Sequence, residues 1–353
     1  MPQTIASAQS AVPSTVLVTG SAGFIAGYLV AELLERGHTV IGLDNFSKYG
    51  QVTKSYQSHP RYRFVSGNAQ DANLMRELAM QSDHFIAAAA RIGGISYFHE
   101  YAYDLLAENE RITAAAFDAA IASHKAGKLK KITVMSSSMV FENATIFPTP
   151  EGHEKLCPPP FSTYGFQKLA CEYFAKGAHE QYGLPYTICR PFNCVGIGER
   201  RALGGKEIPS GNVKLALSHV VPDLVQKILR GQDPLRLLGS GQQVRCYTYG
   251  GDLARGIATT LDHPAALNND FNISTPVATT VLELAEMIWT KVHGPRVPFR
   301  YECDEPYAHD VQRRIPDTTK AKSLLGFEAN TSLSTMLDEV IPWIAQEIKA
   351  GTI

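Results

Sequence analysis

Tyr164 and Lys168 stand at i, i+4, and a run of three serines, Ser136-Ser137-Ser138, precedes them. On a helix that spacing puts a phenol and an ammonium on one face. A cation beside a phenol favours the phenolate. A phenolate can take the proton of a substrate hydroxyl and give it back. A serine hydroxyl near the same oxygen would orient it. This is acid–base chemistry at an alcohol carbon, and it needs a partner that accepts hydride from that carbon.

The N-terminal region provides for such a partner. Thr19-Gly20-Ser21-Ala22-Gly23-Phe24-Ile25-Ala26-Gly27 follows an apolar run and opens a helical pattern. Gly20 permits a tight turn, and Gly23 lets the backbone N–H groups of Phe24 and Ile25 approach a pyrophosphate at the helix N-terminus. Asp44, followed by Asn45, ends the next strand, where a carboxylate can hydrogen-bond an adenosine ribose diol. An acid there repels a 2′-phosphate. The expected cofactor is therefore NAD rather than NADP, a preference that Lys48 weakens slightly.

The elements that must position these groups alternate. Strands are predicted around 15–19, 39–44, 63–65, 84–87, 131–135 and 186–189, with helices over 24–36, 72–80, 105–124 and 165–181 between them. Such alternation implies α/β architecture, a Rossmann-type doubly wound parallel sheet covered on both faces. The second half is broken by Pro and Gly near 204–211, 231–241 and 294–298, with helices expected near 213–230, 252–262, 281–293 and 334–349. The reading is a flexible tail over 1–13, a sheet domain over 14–190 with a return segment near 243–275, and a smaller C-terminal α/β substrate lobe over 191–353.

Composition narrows the class. Hydrophobic residues are 44% and charged residues 19% of 353 positions, enough for a substantial core and unlike a disordered chain. Lys+Arg is 33 and Asp+Glu 34, net −1. That balance argues against a nucleic-acid partner but leaves room for one phosphorylated small molecule. The cysteines (157, 171, 189, 194, 246 and 303) form no C-x-x-C pair, and no His is spaced with them for zinc, so no metal is expected and nothing demands an oxidising compartment. No Lys or Arg precedes Arg36, so no secretory signal is read, and the uncharged 16–31 stretch is broken by its glycines. The expectation is a cytoplasmic protein without membrane attachment.

The glycine loop, the serine run and Tyr164-Gly165-Phe166-Gln167-Lys168 together resemble the extended short-chain dehydrogenase/reductases. Within them the closest pattern is the nucleotide-sugar epimerases and dehydratases of the UDP-glucose/UDP-glucuronate 4-epimerase type, over about residues 14–345. The family's Gly-x-x-Gly-x-x-Gly has Ala26 at its third position here, with Gly27 beside it. The resemblance implies that Asn68, next to Ala69, takes the adenine-edge place of the family's Asp. It lays Ala87 to Ala90, with Ala88 at the centre, along the cofactor, and it adds Asn109 and Pro191 as cofactor residues. Placing Val140-Phe141 on the family's Val-Tyr-Gly makes Ser137 the catalytic hydroxyl and puts Ser138 beside the substrate. The 4,6-dehydratases carry an Asp-Glu pair where Ser138 and Met139 stand, and the 3,5-epimerases of GDP-mannose carry a Cys at Met139, so both reactions are disfavoured.

The same resemblance implies a nucleotide-sugar site in the lobe. Asn193, in Arg190-Pro191-Phe192-Asn193-Cys194-Val195-Gly196, would meet diphosphate or sugar. Asn212 and the Ser218-His219-Val220-Val221-Pro222 segment would cradle the nucleotide. Arg245 would bind the diphosphate. Asp310 with Arg314 or Arg313 would form a late nucleotide contact, where Tyr307 replaces a family arginine. Asp252 would cap the helix that follows. Arg200, with Arg201, would grip a sugar carboxylate and keeps a uronate among the substrates. The implied activity is NAD-dependent 4-epimerisation of a UDP-hexose or UDP-hexuronate through a 4-keto sugar. A decarboxylase or a 4-ketosugar reductase on the same scaffold is the alternative, and the Ser137, Tyr164 and Lys168 set argues against a non-catalytic NAD-binding module. A homodimer through the helices near 105–124 and 165–181 is also implied.

Overall fold

The computed structural model describes residues 13–93, 100–200, 202–203, 207–216, 219–306 and 310–353. The apolar runs form parallel strands: β1 (Thr15–Thr19), β2 (Thr39–Asp44), β3 (Tyr62–Ser66), β4 (His84–Ala87), β5 (Lys131–Met135) and β6 (Tyr186–Pro191). With the strand Asn269–Ile273 they make a seven-stranded sheet. Its order is Asn269–Ile273, β6, β5, β4, β1, β2, β3. Val16, Leu17 and Val18 are fully buried, as a strand covered on both faces requires.

The helices are α1 (Phe24–Glu35), α2 (Ala72–Ala79), α3 (Ala102–Lys125), α4 (Thr163–Tyr182), α5 (Val220–Leu229), α6 (Gly250–Thr260), α7 (Val281–His293), α8 (Thr319–Leu325) and α9 (Leu333–Lys349). One face of the sheet packs Leu29 and Leu33 of α1 with Leu253 and Ile257 of α6. The other packs Met75 of α2, Phe117 of α3 and Ala175 of α4. The strand order turns back between β1 and β4, and the crevice at the carboxyl ends of those strands is where such sheets hold ligands.

The lobe has its own core, in which Leu224 of α5, Leu284 and Trp289 of α7, and Leu337 and Ile344 of α9 meet. Where a helix was expected to start near 213, the chain forms an antiparallel hairpin, Glu207–Ser210 with Val213–Ala216, and α5 begins only at Val220. The connection is Gly211-Asn212, with Gly211 at φ +60, a two-residue hairpin signal that outweighs the apolar content downstream. The chain then returns to the sheet domain through α6 and the strand Asn269–Ile273. Among the described residues no helix is long and apolar enough to cross a membrane.

A charge cluster lies buried at the β6 edge. Arg190 Nη1 donates to Asp270 Oδ2 at 2.6 Å, and Lys320 Nζ donates to Asp270 Oδ1 at 2.6 Å. Burial pushes the Asp270 carboxyl up, but the charge of Arg190 and the contacts of Lys320 outweigh it and hold it at about 2. A carboxyl depressed on folding stabilises the fold above its ordinary 3.8, and that stabilisation is lost as pH falls from there toward 2. Asp270→Asn is expected to cost about 2 kcal/mol at pH 7, and the gap to wild type should close near pH 2. Urea unfolding at the two pH values measures both.

Candidate active site

The glycine loop is held from three sides. Gly20 lies at φ +72, and its N–H donates to Leu43 O at 2.7 Å. A Cβ on Gly20 would stand 2.9 Å from Ala89 Cα, and one on Gly23 would stand 2.9 Å from Gly20 O. Thr19 Oγ1 accepts from the N–H groups of both Ala88 and Ala89, each at 3.1 Å, so the ends of β1 and β4 are pinned together. Asp44 Oδ2 accepts from Ala22 N at 3.0 Å, and Oδ1 from Phe46 N at 2.7 Å. Gly23, the N-cap of α1, gives the first turn no side-chain cap, which leaves the N–H groups of Phe24 and Ile25 to an anion. A close-packed glycine turn, an uncapped helix start and an acid at the end of β2 fit a dinucleotide.

Sequence reasoning missed the residues that brace this loop. Tyr56 Oη donates to Ser21 O at 2.7 Å, and Lys54 Nζ donates to Gly23 O at 3.1 Å. A Cβ on Gly27 would stand 3.1 Å from Lys54 Nζ, so that glycine makes room for the lysine. Burial, then the like charge of Arg200, draws Lys54 down to about 8. These residues sit in the long β2–β3 connection, which has no periodicity to mark them.

Asn68 is exposed and folds its Oδ1 onto Gln70 N at 3.0 Å, beside buried Ala69. Asn109 is 1% exposed, and both ends of its amide are spent on the backbone of Arg91, at 2.7 and 2.9 Å. It clamps the segment that follows β4. Asn45, exposed after β2, accepts from Ser47 N.

The serine run turns off the end of β5 into a short 3₁₀ helix, Ser138–Phe141, which packs on the start of α4. Ser137 Oγ accepts from Met139 N at 3.2 Å. On α4, Ser162 caps the helix by accepting from Gly165 N at 3.0 Å, and Glu142 Oε2 accepts from Ser162 N and Oγ. This cap fixes the turn that carries Tyr164. Lys168 Nζ lies 5.9 Å from the centre of the Tyr164 ring and donates to Met135 O at 2.9 Å. Tyr164 and Met139 are buried in one cluster with Leu105 and Val311. The structure thus brings together the serine turn, Tyr164 and Lys168 at the carboxyl edge of β5.

In the lobe, Arg245 and Arg314 lie close enough to repel, with Asp310 beside them. Arg245 Nη1 donates to Val244 O at 2.9 Å, Arg245 Nη2 stands 3.5 Å from Asp310 Oδ1, and Gln243 Nε2 donates to Asp310 Oδ2 at 2.7 Å. Arg314 Nε is buried with no hydrogen-bond partner among the described residues. Burial, then the charge of Arg245, pulls Arg314 down to about 9, and burial also lowers Arg245. The two guanidinium groups, faced by Asp310 and more weakly by Glu142, make a site for an anion. Arg313, the other candidate, is exposed.

Arg200 Nε and Nη2 bind Glu347 of α9 at 3.0 and 3.1 Å, so its guanidinium is engaged by a carboxylate of this chain. Asn212 sits on the exposed hairpin turn. Asp252 lies inside the first turn of α6, whose N-cap is Tyr249; it accepts from Thr331 N at 2.8 Å and pairs with Arg255. His219 is the N-cap residue of α5, preceding Val220, and pairs with Glu199. Asn193 leaves β6, past Pro191, at φ 35 and donates to Cys246 O at 3.3 Å. Ser138 is buried. Arg201, Ser218 and Tyr307 lie outside the described residues. Among the described residues no group of three His, Cys, Asp or Glu side chains is placed to hold a metal.

The model of the NAD dependent epimerase/dehydratase family matches residues 16–274, spanning the loop, the serine turn and α4. The chain belongs to this family. A UDP-N-acetyl-alpha-D-glucosaminuronate decarboxylase of Bacillus cytotoxicus is 30% identical over 337 residues, 94% of this chain and 97% of that protein. A UDP-glucose 4-epimerase of Mycolicibacterium smegmatis is 27% identical over 320 residues, 90% of this chain and 94% of that protein. Among solved structures, the UDP-glucose 4-epimerase of Thermotoga maritima with UDP-glucose superposes with a TM-score of 0.76 at 28% identity, covering 95% of this chain and 99% of that one. As an epimerase/dehydratase family member this protein is an NAD-dependent enzyme on the short-chain dehydrogenase/reductase scaffold.

Proposed function

We propose that this enzyme is a UDP-sugar 4-epimerase. The observation that carries the reading is the grouping of the serine turn, Tyr164 and Lys168 with no carboxyl group at 138 or 139. That set can move a hydroxyl proton, which is what this chain's side chains must supply for inversion at C4 where NAD takes and returns the hydride.

The dinucleotide would be held by the backbone of Gly20 to Ile25, by Asp44 and along Ala88. NAD, when bound, supplies reversible hydride acceptance at one carbon. Tyr164 takes the C4 hydroxyl proton and later returns it. Lys168, anchored on Met135 O beside the Tyr164 ring, would hold the nicotinamide ribose. Ser137 orients the sugar oxygen, and Arg245 and Arg314 hold the diphosphate while the 4-keto sugar presents its other face. Removing one of those cations should weaken the sugar nucleotide in ground and transition state alike. Arg314→Met is expected to raise KM about 100-fold with kcat within a factor of about three, in initial-rate kinetics.

The decarboxylase relative supports a second reading. Against it stands the engagement of Arg200 by Glu347, which leaves a sugar carboxylate without the expected partner. Proton NMR of the NAD-loaded protein with UDP-, dTDP- and GDP-sugars, UDP-glucuronate included, decides between them. A mixture of C4 epimers without net NADH supports the epimerase. A pentose with released CO₂ replaces it with the decarboxylase, and stoichiometric cofactor consumption replaces it with a reductase. We place the dimer contact on α3 and α4, whose Tyr103, Phe166 and Tyr173 are exposed apolar surface. Light scattering at micromolar concentration tests it. We place the enzyme in the cytoplasm, where its free cysteines suit a reducing milieu.

A further inference from the structure

Ser136 is 3% exposed, and its Oγ donates to Glu172 Oε1 at 2.6 Å. Glu172 is fully buried and lies one turn beyond Lys168 on α4. Its two oxygens also accept from Arg190 Nε at 2.7 Å and Nη2 at 2.6 Å. Arg190, at 0% exposure, reaches Asp270 as well, and its Nη2 stands 3.4 Å from Glu154. Lys176 lies 3.6 Å from Glu154, and Lys320 holds Asp270 from α8. Glu151 also faces Lys320 and Asp270, and Phe141 stacks against the Arg190 guanidinium at 5.2 Å.

Buried ion pairs add little net stability, because desolvation offsets attraction. What the hydrogen-bonded pair of Glu172 and Arg190 does provide is a fixed geometry. Here the geometry concerns the serine turn. Ser136 N donates to Cys189 O on β6 at 2.9 Å, while its side chain is tied to α4. The next residue is Ser137, and the same helix carries Tyr164 and Lys168.

We infer that Ser136, gripped by Glu172 under the control of Arg190, is a positioning residue that sets Ser137 against Tyr164. A charge-assisted O–H···O⁻ bond of this length is short and directional. A catalytic hydroxyl displaced by about 1 Å can lose up to 10²-fold in rate. This inference rests on the epimerase reading of the site, in which Ser137 orients the sugar oxygen.

The test compares Ser136→Ala, Ser137→Ala and the double variant, each loaded with NAD. Ser136→Ala should lower kcat about 10-fold with KM for the UDP-sugar within a factor of two. In the double variant the Ser136 effect should vanish, because a residue acting through Ser137 has nothing left to act on. Wild-type kcat in Ser136→Ala, or a double variant slower than Ser137→Ala by the full Ser136 factor, overturns the inference. Hydrogen exchange of the peptide covering 136–141 gives a second arm that needs no turnover. Exchange there should quicken at least fivefold in Ser136→Ala at unchanged Tm, and unchanged exchange overturns the inference. A wild type that converts no sugar in the panel sinks the epimerase reading alone, and the exchange arm still decides the role of Ser136.

Discussion

Tyr164→Phe is expected to lower turnover about 10³-fold, in the range that general acid–base groups contribute, while NAD content and fold persist. Tyr164 is 4% exposed and packs its ring against Leu105, Met139 and Val311. Phe keeps that ring, so the apolar contacts survive. Lys168 also stays in place, because its Nζ is anchored on Met135 O rather than on the tyrosine alone. What disappears is the oxygen that exchanges a proton with the sugar. Bound dinucleotide, measured by absorbance after denaturation, should match wild type, and Tm should agree within about 2 °C. Turnover near wild type would remove Tyr164 from the chemistry and with it the proposed mechanism.

The second large effect concerns the cofactor loop. Gly20→Val should strip the protein of NAD and lower Tm by about 5 °C or more. Gly20 sits at φ +72, where a β-branched residue is strained. Its Cβ would also stand 2.9 Å from Ala89 Cα, 3.1 Å from Ala89 N and 3.2 Å from Ala88 O. All three are backbone atoms of residues whose N–H groups the Thr19 hydroxyl holds, so none can yield without opening the crevice between β1 and β4. Gly37→Ala is the matched control. Gly37 has φ +93 but open space around its Cβ position, so the variant carries the backbone strain alone, about 1 kcal/mol, and keeps its NAD. Equal loss of NAD in both variants would mean that general destabilisation, not the loop, empties the site.

The parts legible in the sequence are those governed by neighbours along the chain. The β1–loop–α1–β2 unit was readable because apolar runs, glycines and a terminal acid act within one connection, and the structure draws Asp44 onto the loop by two backbone hydrogen bonds. Tyr164 and Lys168 were readable because the helix period alone places i and i+4 on one face. Gly211-Asn212 signals the hairpin at 207–216, against the apolar content farther on that reads as helix.

Tertiary structure decided the rest, chiefly which partner each charge finds. Arg200 reads in sequence as a cation for a sugar carboxylate, and the fold sets Glu347 beside it from 147 positions away. Arg313 and Arg314 look alike in sequence, and only the pairing of their strand with Val244–Cys246 tucks one, half-buried, beside Arg245 and leaves the other in solvent. Asn109 turned out to clamp a backbone segment, and Ser136 to hang from Glu172 and Arg190. Backbone hydrogen bonding is set by short-range rules that a sequence states directly. A buried charge is stable only where a partner from another element arrives at hydrogen-bond distance, and that meeting exists only once the sheet has closed around it.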